Sequence, residues 1–305
     1  MKNLILHLRR LALEVLNLLL NHDLVFSVVG ILNKRFNFLE SIFLVYPANR
    51  KYAEAYAYKR RLDTNQWSPW ISGFLVQNGK LTIMFAISAT NGHFTDAGSD
   101  QNLRMMADRM EEIKNLLGAS RKTFAGTLPS ILFKKRILRE APEADLTAEA
   151  VNQAISLVKV GENLLDTPIV ILGGGGFIGR RVLKLLGGES EKVISIDLVP
   201  GKTREDLWPH HLKGQRILVV NITVNNAMSD YIDLMWPGTV VLNEVYPEPK
   251  QSVVDSLTVK GCKCYHIVGV HASAFPPFPA AYKGAVPCCA AWPSLQMKVV
   301  VRAMY

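Results

Sequence analysis

The chain has 305 residues, 49% hydrophobic and 20% charged, enough for two domains with separate cores and too apolar for a disordered protein. Four cysteines are too few for a disulfide framework, so we read a reduced, cytoplasmic protein. The net charge of +9 suits an acidic partner or a solvated basic surface, and no signature of nucleic-acid binding accompanies it.

Leu4, Leu8, Leu11, Val15 and Leu18 recur at helical spacing, interrupted by Arg9, Arg10 and Glu14. Those charges argue against a spanning helix, and no small-residue cleavage site marks a signal peptide. A core or capping helix is preferred to one lying on a membrane surface. SIFLVYP (41 to 47) is expected to be a buried strand. Asn78-Gly79 separates two apolar runs, a hairpin signal because both turn positions take positive φ. A helix follows with Leu103, Met106, Met110, Ile113 and Leu117 on its core face and Gly118 at its stop. GTLPSILF (126 to 133) is a short element ended by Lys134, Lys135 and Arg136. The polar stretch around Pro142 opens a connecting helix at about Asp145, striped by Val151, Ala154, Ile155 and Val158. Residues 1–145 are therefore expected to form an N-terminal α/β domain that meets substrate or partner, and residues 146–305 a Rossmann domain.

The second half alternates apolar strand runs with helices, the pattern of a mostly parallel, doubly wound sheet covered on both faces. The α/β class is thus expected throughout. Gly174, Gly175, Gly176, Phe177, Ile178 and Gly179 form a strand-to-helix turn with glycines at 174, 176 and 179. Such glycines allow a tight turn, close approach of a pyrophosphate and contact of helix with strand. Backbone N–H groups at the start of the helix would then face the anion. Asp197 ends the next strand, where a carboxylate binds ribose hydroxyls and repels a 2′-phosphate, so NAD is favoured within an NAD(P) site. Lys202 and Arg204 follow and could embrace that phosphate instead. Thr223 and Asn225, after the third strand, lie where a nicotinamide would rest; each reads equally well as a loop cap.

Cys262 and Cys264 point to one face of a strand and read as buried structural thiols, because no metal-ligand spacing surrounds them. Cys288 and Cys289 precede PSLQMKVVVRAMY, taken as a C-terminal helix whose start would lower a thiol pKa. On the residues alone a buried, inert cysteine is the favoured reading of each. His271, after the last strand, is a candidate proton donor or base, or an ordinary loop histidine. His93, in the ATNGHFTDAG loop, could line a cleft between domains or simply be exposed, the preferred reading, and the His210-His211 pair reads as solvated. AFPPFPAAY (274 to 282) could wall an apolar pocket or pack against the other domain.

From about residue 80 onward the chain resembles the cyanobacterial-type long-chain acyl-[acyl carrier protein] reductases. The resemblance rests on the hairpin and long helix, the Gly126 to Ile131 element, the connecting helix and the glycine turn. It continues through the VVNIT strand, VVLNEVYPEP with its turn at Tyr246-Pro247, Gly269-Val270 and a cysteine near the end. It implies that Cys288, with Cys289 beside it, takes an acyl group as a thioester, and that hydride from a nicotinamide cofactor then releases an aldehyde. Three features depart from the family. Asp197 argues for NAD where the family generally uses NADPH, the stretch from Asp197 to Arg216 is a strand short, and the C-terminal helix is curtailed. The Rossmann half also resembles shikimate-dehydrogenase-like domains through Asn221, Thr223 and the V-Y-P turn, without that family's N-terminal catalytic signature.

The expected function is NAD(P)H-dependent reduction of an activated acyl group through Cys288 or Cys289 in the cleft between domains. Backbone donors or His271 would hold the oxyanion. The acyl substrate would arrive as a small molecule, a coenzyme A thioester or the cargo of an acidic carrier protein. The alternatives are a dehydrogenase of a hydroxy or amino acid without covalent catalysis, and a nucleotide-binding protein without chemistry.

Overall fold

The computed structural model describes residues 2–47, 49–187, 192–224, 227–278, 282, 284–290 and 297–305. The chain forms two compact units. The first contains Met1–Glu143 together with Ala272–Phe278 and Cys289–Ala291; the second contains Ala144–His271, Pro279–Cys288 and Trp292–Tyr305.

In the first unit α1 (Lys2–Leu20) and α2 (Asp23–Phe36) lead into β1 (Leu39–Val45), then α3 (Arg50–Glu54) and α4 (Lys59–Thr64). The hairpin of β2 (Trp70–Gln77) and β3 (Lys80–Ala86) turns at Asn78 and Gly79, with φ of 50° and 75° as that turn type requires. α5 (Asn91–Thr95) and α6 (Ser99–Leu117) follow, then β4 (Arg121–Phe124) and α7 (Leu128–Lys134). α6 ends where Gly118 adopts φ 61°, and its five predicted core residues are all buried. β1 lies between parallel neighbours β3 and β4, which is why its apolar run is nearly continuous.

The stripe expected to cover the core from α1 faces the other way. Leu4, Leu8, Leu11, Val15 and Leu18 are exposed, while Leu13 and Asn17 are buried. The reason lies in β2, whose pairing with β3 shifts register between Ile71 and Gly73. Asn17 serves that irregularity: its Nδ2 donates to the Ile71 carbonyl at 2.7 Å and its Oδ1 accepts the Ile71 N–H at 2.7 Å. Asn33 of α2 does the same at the start of β1, accepting the Leu39 N–H at 2.8 Å and donating to the Gly118 carbonyl at 2.9 Å. Buried backbone groups need partners, and here they draw amide side chains inward.

The second unit begins with α8 (Pro142–Gly161), whose last eighteen residues it contains and whose predicted stripe is buried. Then come β5 (Ile169–Leu172), α9 (Gly179–Leu185), β6 (Val193–Ile196), α10 (Arg204–Leu207), β7 (Leu218–Asn221), β8 (Val240–Asn243), α11 (Gln251–Val259) and β9 (Lys263–His271). β6, β5, β7, β8 and β9 lie side by side in that order, all parallel. No strand forms between β6 and β7, in line with the short segment there. Alternate residues of each strand feed opposite cores. Ile169, Ile171, Leu218 and Val220 join the α8 face, while Val170, Leu172, Val219 and Cys264 join the other.

β10 (Ser273–Phe275) leaves this unit and pairs antiparallel with β2, so part of the AFPPFPAAY loop extends the first sheet. β11 (Ala285–Val286) and β12 (Val299–Ala303) both pair antiparallel with β9. β12 corrects the C-terminal helix expected from Pro293. The β-branched run Val299 to Val301 is ladder-paired, and Met297 and Lys298 are not helical. The start of that expected helix, over residues 293–296, lies outside the described residues; Met297–Tyr305 supply no helix to activate a thiol.

Candidate functional site

The chain steps from β5 outward to β6 and back across to β7, so the carboxyl end of β5 is a topological switch point, where open α/β sheets bind ligands. The glycine turn occupies that point. Gly173 takes φ 91° directly after β5. A Cβ on Gly174 would stand 2.1 Å from Ser195 Oγ, and one on Gly179 would stand 2.1 Å from the Gly173 carbonyl. Both positions exclude side chains, so the turn presents main chain. Among the described residues the amides of Gly174 and Ile178 donate to no backbone carbonyl. α9, which follows, is a helix of seven residues.

Asp197 closes over the turn from the end of β6. Its Oδ2 accepts the Gly175 N–H at 2.7 Å and the Ser195 hydroxyl at 3.0 Å. Arg180 donates to the Gly175 carbonyl at 2.7 Å, and Arg181 reaches the Phe177 carbonyl, stacks over the Phe177 ring and pairs with Asp145. Leu198 and Val224, on the loops after β6 and β7, the two strands that flank β5, are large apolar side chains left exposed. Arg204 is held by Asp230 at 2.7 Å and lies over Tyr231, an engagement that competes with any phosphate.

A polar ladder that the sequence did not reveal crosses the strand ends. Thr223 Oγ1 donates to Asn221 Oδ1 at 2.7 Å, and Asn221 Nδ2 donates to Asn243 Oδ1 at 2.7 Å. Asn243 Nδ2 lies 3.1 Å from His266 Nδ1. Burial pushes His266 down to about 4, so the ladder ends on a neutral imidazole. Glu244 follows Asn243; it keeps partial contact with solvent, yet desolvation pushes its carboxyl up to about 7.

No protein-family model and no curated protein matches the chain. Among solved structures it is similar to L-tryptophan dehydrogenase from Nostoc punctiforme, at 12% identity and a TM-score of 0.33 over 74% of this chain and 68% of that one. Function is therefore argued from the site itself.

The remaining candidates are scattered. His271 is the last residue of β9, with an exposed side chain. Asn225 lies outside the described residues. Cys262 and Cys264 are buried, and burial pushes both thiols up, Cys264 to about 12. Cys288 and Cys289, both half-buried and free of disulfides, open a single turn of 3-10 helix after β11. Cys288 packs against the α8-side core of the second unit. Cys289 belongs to the first unit, close enough to Tyr46 to add to the upward push that burial gives that phenol.

Tyr46 anchors a hydroxyl cluster at the carboxyl ends of β1 and β4, also unread in the sequence. It accepts the Thr127 N–H at 3.0 Å and shares a hydrogen bond with Thr127 Oγ1, which donates to Asn91 Oδ1 at 2.7 Å. His93 is not a free loop residue: its Nδ1 accepts the Thr90 N–H and caps α5.

Proposed function

We propose that the second unit binds a nicotinamide dinucleotide at the turn from Gly173 to Gly179, and that the protein is an NAD(P)-dependent oxidoreductase. The observation that carries this reading is the Asp197 clasp on the Gly175 N–H. It sets one carboxylate beside a side-chain-free turn at the switch point, the arrangement that serves a pyrophosphate and an adenosine ribose together. The fit is supported by glycines whose Cβ atoms would fill the cradle and by Leu198 and Val224, which offer apolar contact to a base. Among the described residues Asp197 Oδ1 has no hydrogen-bond partner, which suits a ribose hydroxyl. With Arg204 held by Asp230, these features favour NAD over NADP.

The bound nicotinamide would supply or accept hydride. Thr223, fixed by the ladder through Asn221 and Asn243 to His266, would orient the carboxamide side of the site. The finer reading, which rests also on the resemblance to acyl-[acyl carrier protein] reductases, is reduction of an acyl thioester. The thiolate of Cys288 or Cys289 attacks the thioester carbonyl and expels the carrier thiol; hydride delivered to the resulting enzyme thioester then expels the cysteine thiolate and leaves an aldehyde. The hydroxyl cluster of Tyr46 and Thr127 beside Cys289 supports that thiol as the nucleophile. The apolar packing of Cys288 supports the second reading, a dehydrogenase of a hydroxy or amino acid whose cysteines are structural.

Intact mass spectrometry after incubation with mixed acyl thioesters separates the two. Covalent catalysis predicts an acyl adduct on the peptide holding both thiols, removed by Cys288→Ser or Cys289→Ser and discharged by NADH. A protein that binds NADH and never acquires an adduct belongs to the second reading.

A further inference from the structure

The two N-terminal helices carry their polarity inside out. α1 buries Leu13 and Asn17 and turns a leucine stripe outward, with Leu8 54% and Leu18 73% exposed. α2 buries Phe26, Gly30 and Asn33 and turns out Leu24, Ile31 and Phe36, with Leu24 77% exposed. Scattered exposed leucines need no explanation, but two consecutive apolar helix faces on the surface do.

Charge shows what covers them. The first unit holds twenty Lys and Arg against twelve Asp and Glu, a net of +8 of the protein's +9. Both acids on the helix pair are neutralised, Glu14 by Arg61 at 2.6 Å and Asp23 by Arg109 at 2.5 Å. Among the described residues no carboxylate pairs with exposed Lys34 and Arg35 at the end of α2, or with Lys59 and Arg60 on α4. α4 stands beside α1, bound by the Arg61–Glu14 pair, and the neighbouring Tyr56 and Tyr58 rings lie under Arg9 and Arg10.

We propose that α1 and α2 seat the protein on an anionic membrane surface, their leucine faces in the headgroup boundary and the flanking lysines and arginines on lipid phosphates. The fold argues against spanning. Among the described residues no single helix is long and apolar enough to cross; the helix pair, which passes by length and composition together, is bent by 82° and has its inner faces fastened to the sheet and α6. A second copy of the chain is disfavoured because it would bring two surfaces of the same positive charge together.

The test is sedimentation of the full chain with phosphatidylcholine vesicles, with and without phosphatidylglycerol. The protein should pellet with the anionic vesicles only, and less as salt rises. Leu11→Glu with Leu18→Glu, and separately Leu24→Glu with Ile31→Glu, should each weaken binding about tenfold or more while thermal melting stays unchanged. Lys34→Gln with Arg35→Gln should flatten the salt dependence. The proposal is overturned if wild type stays in the supernatant or if all variants pellet alike. It is equally overturned if ultracentrifugation shows a dimer that the leucine variants dissociate, without vesicle binding.

Discussion

In the second unit the strands from β5 to β9 carry apolar side chains on both faces, and each face is roofed by its own core. In the first unit α1 and α2 meet the sheet and α6 partly through asparagine side chains and leave leucines outside. The charge divides the same way, +8 on the first unit against +1 on the second. One unit is built around its own interior and ends its central strand in a turn of bare main chain. The other leaves apolar helix faces on its surface, which is what the proposed seat on an anionic membrane would use.

The sharpest break of this contrast is at the glycine turn. Gly179→Val places atoms against the Gly173 carbonyl and the Gly174 Cα, so the turn must open. Dinucleotide affinity should fall about a hundredfold in a fluorescence titration, with roughly 1–3 kcal/mol lost in denaturant unfolding. The two faces of α1 come next. Leu13→Ala should cost about 2–4 kcal/mol, whereas Leu8→Ala should stay within about 0.5 kcal/mol by the same measurement. Equal costs would mean that α1 is not oriented as described.

A third test uses the strand-end ladder. The folded protein holds His266 near 4, below its ordinary 6.5, so its contribution to stability is full above pH 6.5 and is lost as pH falls toward 4. Glu244 is held near 7, above its ordinary 4.5, so its contribution is full below pH 4.5 and is lost as pH rises toward 7. Between pH 4.5 and 6.5 the two slopes oppose each other. Relative to wild type, Glu244→Gln should therefore gain roughly 2–3 kcal/mol of stability across that interval as pH rises, and His266→Gln should lose a similar amount. The smallest expected effect is on cofactor choice. Asp197→Ala should weaken NADH binding about tenfold and narrow its margin over NADPH.

The glycine turn and its Asp197 were legible because the motif is local: the glycines and the strand end stand within one short span of chain. The parallel order of the second sheet was legible for a similar reason, since strands covered on both faces announce themselves as apolar runs. The α1 face was misread because periodicity weighs leucines, and the decisive residue is Asn17, drawn inward by a shift in β2 more than fifty residues away. His266 lies inside the apolar run KCYHIVGV, and only the register that sets it against Asn243 gives it a partner. The C-terminal strand carried its own warning in three successive valines, outweighed by the expectation of a closing helix.

The central claim is that the turn between β5 and α9 grips a dinucleotide. Isothermal titration of the full chain with NADH measures it most directly. Saturable one-to-one binding, weakened about tenfold by Asp197→Ala and about a hundredfold by Gly179→Val in a protein that still folds, is the predicted result. A wild-type protein that releases no binding heat with either NADH or NADPH, and shows no shift in melting temperature with them, would contradict it.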